Sequence, residues 1–164
     1  ELVPKKGEAV RMIYGGDTLG SGDVQLGAAT DLFPGSDESE HSRWYERARR
    51  GDDIIYFGIW ESGRQVGQIF LHDINWTNAG SLVGYHLFDV ADRGRKIGTL
   101  ALSLLVEYAT QDRRLRTLTI ITGRDNIPSC RLAQGAGFQY VGPARERPHR
   151  DLVYSREICT RQST

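Results

Sequence analysis

The chain has 164 residues, 39% hydrophobic and 26% charged, which is the size of one domain able to bury a full core. Its 21 Lys and Arg balance 21 Asp and Glu, so no global field draws it to nucleic acid or to an anionic membrane. No run approaches the roughly 20 apolar residues of a membrane-spanning helix. Two cysteines without CxxC spacing, four scattered histidines without an HxxxH pair, and no apolar signal core at the start predict a reduced, cytoplasmic protein with no metal.

In chain order, residues 1–35 are glycine-dense and read mainly as loops, with a short strand over 10–14 and either a poor helix or a strand over 23–33. A helix follows, because Asp37 and Glu40 have capping-box spacing and Gly51 stops the chain after Arg47, Arg49 and Arg50. Trp44, Tyr45 and Ala48 give it a packed face. Strands are then predicted over 54–60, 64–74 and 81–88, the first two flanking the turn Glu61-Ser62-Gly63. Short connections make these an antiparallel meander.

The segment 91–110, ADRGRKIGTLALSLLVEYAT, organises the rest. Ile97, Leu100, Ala101, Leu104, Leu105 and Tyr108 recur with helical spacing and predict a buried stripe. A strand, a basic glycine loop and a helix N-terminus therefore follow one another. The first turn of a helix leaves N–H groups without intrahelical partners at the positive end of the macrodipole, so an anion satisfies both. Arg93, Arg95 and Lys96 add charge, although a solvated βα turn would read the same way. Neither a P-loop nor a GxGxxG dinucleotide fingerprint is present.

Beyond the helix, 117–122 is a strand, Gly123 to Asn126 a turn, and 127–135 a short helix that tolerates Pro128 in its first turn. Final strands are expected over 138–141 and 152–158. Strand, helix and strand across 81–122 require a parallel crossover. The prediction is an α/β (α+β) fold: one domain over 1–164, with a mixed, mostly antiparallel sheet and helices on both faces.

Two ordered stretches resemble the GNAT superfamily of N-acetyltransferases. Arg93 to Gly98 is similar to its acyl-CoA loop, and Asn126-Ile127-Pro128-Ser129 followed by Gly137-Phe138 is similar to the NxxS to GF pattern of the ribosomal-protein alanine N-acetyltransferase branch. Lys96 stands where the family usually has a glycine. Such a lysine would be strained at φ > 0, and its Cβ would narrow the approach of a pyrophosphate, so weakened or rearranged binding is expected.

The resemblance implies that Leu87 and Phe88 offer strand backbone to the pantetheine amides, with Val90 near the same arm. It implies that Arg93, Gly94, Arg95, Lys96, Ile97, Gly98 and Thr99 cradle the pyrophosphate. Asn126 would contact the pantetheine, Ser129 would lie near the thioester sulfur, and Arg131 would reach toward phosphate. The implied reaction is direct attack of a primary amine, on a protein N-terminus or a small molecule, on acetyl-CoA. Many relatives carry a Tyr seven positions after the Asn, where this chain has Ala133, so Ser129 is the expected donor to sulfur. His86 and His72 are the candidate bases, with Asp73 on the strands beside them and Glu61 further out on a turn, and a water relay to bulk with no dedicated base is the alternative. The competing reading is a non-catalytic acyl-CoA-binding regulatory module. A monomer or a homodimer fits either.

Overall fold

The computed structural model describes residues 20, 22–27, 29, 43, 53–111 and 114–158. Among these residues seven strands, β1 (Val24–Gly27), β2 (Ile55–Glu61), β3 (Arg64–Asn75), β4 (Gly80–Leu87), β5 (Thr117–Gly123), β6 (Gln139–Pro143) and β7 (Asp151–Glu157), form one sheet in the order β1-β2-β3-β4-β5-β7-β6. A 3-10 turn (Val90–Asp92) and helix α1 (Ile97–Gln111) lie between β4 and β5, and helix α2 (Ile127–Gly135) lies between β5 and β6. The strand expected over 10–14 lies outside the described residues, and of the helix expected to end at Gly51 only Arg43 is described, as helix. Of the stretch 23–33, the described part is strand β1.

The meander β2-β3-β4 is antiparallel, as short turns dictate. The α1 crossover makes β4 and β5 parallel, while β7 inserts between β5 and β6 and is antiparallel to both. The period-2 alternation gives the sheet two distinct faces. Phe57, Ile59, Ile69, Leu71, Val83, Leu118, Ile120 and Tyr154 are buried in one cluster with residues of both helices. On the opposite face Tyr56 stacks on Phe70, with ring centroids 5.0 Å apart, and the Tyr56 hydroxyl donates to Gln68.

The stripe predicted for α1 is rotated in the structure. Ile97, Ala101, Leu102, Leu105, Val106 and Ala109 are buried, whereas Leu100 is 50% exposed and Leu104 and Tyr108 are only partly buried. The helix carries apolar residues nearly all round, so periodicity alone cannot choose its packed side. Contact with the sheet and with α2 does choose it.

One irregularity positions everything that follows. The β4–β5 ladder holds three Cα pairs among the described residues, Gly80 to Leu82 against Thr117 to Thr119. Yet β4 runs on to Leu87 and β5 to Gly123. Beyond Leu82 the two parallel strands part, leaving a wedge that opens at their C-terminal ends.

Candidate active site

The wedge widens into a cleft of about 580 Å³ walled by the end of β4, the loop into α1, and the first turns of α1 and α2. Immediately after β4 the Phe88 N–H donates to Val66 O, 2.9 Å, so the even-numbered backbone groups of the strand face β3. The odd-numbered groups of Tyr85 and Leu87 consequently point toward β5, which has already diverged. Leu87 thus offers its amide to the cleft. The N–H of Phe88 is engaged with Val66 in the sheet.

The loop into α1 takes its shape from two residues in the left-handed region, Gly94 at φ 74° and Lys96 at φ 64°. Gly94 adopts this conformation freely, but for Lys96 it costs roughly 1–2 kcal/mol. The strain anticipated at Lys96 is therefore present, while the loop keeps the backbone conformation that a glycine there would have favoured. Lys96 O accepts from Leu100 N at 3.1 Å, closing the first turn of α1. This leaves the N–H groups of Ile97, Gly98 and Thr99 without intrahelical acceptors, and all three residues line the cleft. Arg93, Lys96 and Arg131 line it as well, so backbone dipoles and cations converge there.

Arg95 does something else. It holds Asp92 at 3.1 Å and Glu61 at 2.9 Å, while Arg64 grips Asp92 with two nitrogens at 2.9 and 3.3 Å. Asp92 is buried, and the Arg64 hydrogen bond holds its carboxyl below the ordinary range against the opposing effect of burial. The network ties the β2–β3 turn to the loop, so Arg95 acts as a strut and lies outside the cleft lining. Glu61, offered as a distant base, is spent in the same strut. Val90 is 71% exposed and also outside the lining.

The opposite wall is built on α2. Asn126 caps the helix, its Oδ1 accepting from Ser129 N at 3.3 Å, which fixes the first turn and turns Ser129 into the cleft lining. Ser129 is nonetheless buried, and its Oγ lies 2.5 Å from the hydroxyl of Tyr85. Burial pushes the Tyr85 phenol above its usual pKa, partly offset by the bond to Ser129. Cys130 is also buried, and its Sγ donates weakly to Gly123 O at 3.7 Å.

The two histidines separate. His86 lines the cleft, and burial, then the charge of Arg93, lowers its pKa below 6.5. His72 lies outside the lining: its Nδ1 is 2.5 Å from Asp73 Oδ2 and its ring packs near Phe70. Asp73 sits at a bulge with φ 48°. The structure thus brings together Ser129, His86, Leu87, Arg93, Gly94, Lys96, Ile97, Gly98, Thr99, Asn126 and Arg131. It leaves His72, Phe88, Val90 and Arg95 outside.

Sequence reasoning missed Tyr85 and Asp92. Alternation from Val83 to Leu87 places Tyr85 on the helix-facing side of β4, and that was the available signal. Asp92 announced itself only as an acidic residue beside a basic loop.

Comparison with known proteins agrees with this geometry. Residues 26–139 match the family model described as an acetyltransferase (GNAT) domain. A probable N-acetyltransferase of Bacillus subtilis (strain 168), YjcK, is 28% identical over 121 residues, covering 72% of this chain and 66%, just under two thirds, of that relative. Among solved structures, RimL, a ribosomal L7/L12 α-N-protein acetyltransferase in complex with coenzyme A, superposes with a TM-score of 0.75 at 18% identity, covering 88% of this chain and 99% of that one. MccE, a microcin self-immunity acetyltransferase in complex with acetyl-CoA and AMP, gives 0.64 at 20% identity, covering 75% and 73%. At these identities the structural likeness speaks for the fold, and the family match carries the assignment: the chain belongs to the GNAT acetyltransferase family.

Proposed function

We propose that the protein is an acetyl-CoA-dependent N-acetyltransferase, acting in the cytoplasm on a primary amine. The observation that carries this reading is the meeting of a splayed β4–β5 wedge with a loop held in the left-handed conformation at Gly94 and Lys96. A long donor with an amide-bearing arm and a pyrophosphate fits that pairing. The arm lies between the strands against the backbone of Tyr85 and Leu87, and the pyrophosphate meets the N–H groups of Ile97, Gly98 and Thr99. Arg93, Lys96 and Arg131 supply the countercharge.

The chemistry follows from position. The amine nitrogen attacks the acetyl carbonyl carbon, and a β4 N–H facing the wedge stabilises the oxyanion. Collapse then expels the thiolate, with Ser129 donating a hydrogen bond to sulfur. His86 is better placed than His72 to take the amine's proton, since it lines the cleft and its lowered pKa keeps it neutral at physiological pH. Its side chain leaves β4 on the face opposite Tyr85, so the two residues straddle the wedge. A protein N-terminus is one acceptor consistent with the likeness to RimL, and small-molecule amines are the other.

Calorimetric titration with acetyl-CoA, with CoA and NAD as controls, tests the donor site. Thiol release across a panel of amines and N-terminal peptides then tests transfer. Binding of acetyl-CoA but not NAD, with turnover of at least one amine, is the expected result. Binding with no turnover of any acceptor favours an acyl-CoA-binding module, and no binding at all sinks both readings.

A further inference from the structure

Ser129 as a lone donor to sulfur is chemically thin, because an aliphatic hydroxyl is a weak acid and the proton it gives must be replaced. The helix position that would have offered a phenol holds Ala133, which is completely buried in the core. A phenol nevertheless reaches Ser129 from the other wall. Tyr85 Oη is 2.5 Å from Ser129 Oγ and 3.5 Å from Ser129 O, across 44 residues of sequence. Both residues line the cleft, and this contact joins β4 to α2 across the wedge where their strands have parted.

We infer that Tyr85 is the positioning residue of the Ser129 hydroxyl and the source, through it, of the proton that the leaving thiolate takes; the inference rests on the acetyl-transfer reading above. Asn126 fixes the backbone of Ser129, and Tyr85 fixes the rotation of its hydroxyl. A hydroxyl that accepts from a phenol has its own proton directed away from that phenol, toward the open cleft. The phenol is protonated at neutral pH even at the ordinary tyrosine value, and burial moves it further in that direction, so it is available as a donor.

In the step itself the C–S bond breaks with its electron pair remaining on sulfur. The Ser129 O–H breaks as the S–H forms, and the Tyr85 O–H breaks as the Ser129 O–H is restored. The phenolate recovers a proton from solvent, to which His86 passes on the one it took from the attacking nitrogen. The proton count therefore closes without any further reactant, and neither side chain is consumed.

The test combines acetyl-CoA titration with thiol-release kinetics on an amine that the wild type turns over, applied to Tyr85→Phe, Ser129→Ala and the double variant. All three are expected to bind acetyl-CoA within about threefold of wild type, with kcat falling about tenfold in Tyr85→Phe and about 100-fold in Ser129→Ala. Because the residues act in series, the double variant should be no slower than Ser129→Ala. A wild-type kcat in Tyr85→Phe, or losses that multiply in the double variant, overturns the relay. Should the phenylalanine variant fold poorly, a fluorinated tyrosine placed at 85 keeps the ring and the hydroxyl while acidifying the phenol. It should change kcat at unchanged KM, and an unchanged kcat overturns the relay equally. Failure of the wild type to bind acetyl-CoA or to turn over any amine is a different result: it removes the transfer reading, and the relay with it.

Discussion

The two walls of the cleft recognise by different means. The β4–α1 wall works mainly through backbone: N–H groups of Ile97, Gly98 and Thr99, strand amides of Tyr85 and Leu87, and a loop conformation braced by the Arg64–Asp92–Arg95–Glu61 network. The α2 wall works through side chains, with Asn126 spent as a helix cap and Ser129 held by Tyr85. A backbone wall tolerates a changed side chain as long as its dihedral angles survive. A side-chain wall tolerates small backbone shifts but not a changed functional group. That difference explains how Lys96 can occupy a glycine-like position while the loop keeps its shape.

The sharpest way to break the comparison is to spoil the backbone wall without touching its charges. Gly94→Val forces a β-branched residue to φ 74°, at a stability cost of about 1–2 kcal/mol. No atom outside its immediate neighbours lies within 4 Å of the added Cβ, and Gly94→Ala, which adds that Cβ alone, separates the effect of dihedral angles from any collision of the larger side chain. Acetyl-CoA affinity is expected to fall about 100-fold as the loop's N–H groups lose their common aim. Calorimetry beside a thermal melt checks this. An intact affinity would mean that the loop holds the donor by charge alone.

The side-chain wall should respond in kcat. Asn126→Ala removes the cap on α2, costing about 1 kcal/mol of stability. It also frees the first turn that aims Ser129, so kcat is expected to fall about tenfold with acetyl-CoA affinity changed less. Asn126→Asp keeps a capping oxygen and should recover most of the stability. If it recovers stability but not kcat, Asn126 contributes to the reaction as an amide and not as a cap.

His86→Gln tests the opening between the walls, with a loss of up to about tenfold in kcat expected near neutral pH. Its pKa is lowered from 6.5, by burial first and then by Arg93. The neutral base therefore survives to lower pH, and the acid limb of the wild-type rate profile should lie below 6.5 and vanish in the variant. The same shift is linked to stability. Below the unfolded pKa the unfolded chain binds more protons than the folded one, so the His86 contribution is complete above about 6.5 and is lost as pH falls through the folded value. An unchanged acid limb in His86→Gln removes it as the base.

Much of this was legible because local rules and the global fold agree. Turn chemistry at Glu61-Ser62-Gly63 and the alternation in β2, β3 and β4 specify the meander, and the bounds of α2 follow from Asn126, Pro128 and the glycines beyond. Other features were hidden because they depend on contacts distant in sequence. The insertion of β7 between β5 and β6 is a pairing decision that no local pattern encodes. Arg95 looks like its cationic neighbours until Asp92 and Glu61 are brought beside it, and Tyr85 looks like a core aromatic until α2 folds over it. Charge and aromaticity were visible in the sequence, whereas direction came only with the tertiary fold.

The smallest expected effect tests the boundary between the two modes, at Lys96. Its conformation costs roughly 1–2 kcal/mol, and replacing it by glycine returns that amount less the about 0.4–1 kcal/mol of extra chain entropy glycine carries when unfolded. Lys96→Gly should therefore be slightly more stable than wild type, by about 1 kcal/mol or less, which a thermal melt resolves. Affinity carries two opposed contributions: the variant loses a cation, which weakens donor binding, and loses a Cβ, which lets the pyrophosphate approach more closely. Salt separates them, because charge attraction at an exposed site is screened within about 10 Å at 0.1 M while steric relief is not. Lys96→Gly should bind acetyl-CoA more weakly than wild type at low salt and as well or better at high salt. Lys96→Ala, which keeps the Cβ and the strain but loses the charge, should be weaker at low salt and show neither the added stability nor the gain at high salt. If glycine and alanine behave alike, Lys96 contributes only its charge, and the left-handed turn costs this loop nothing in donor binding.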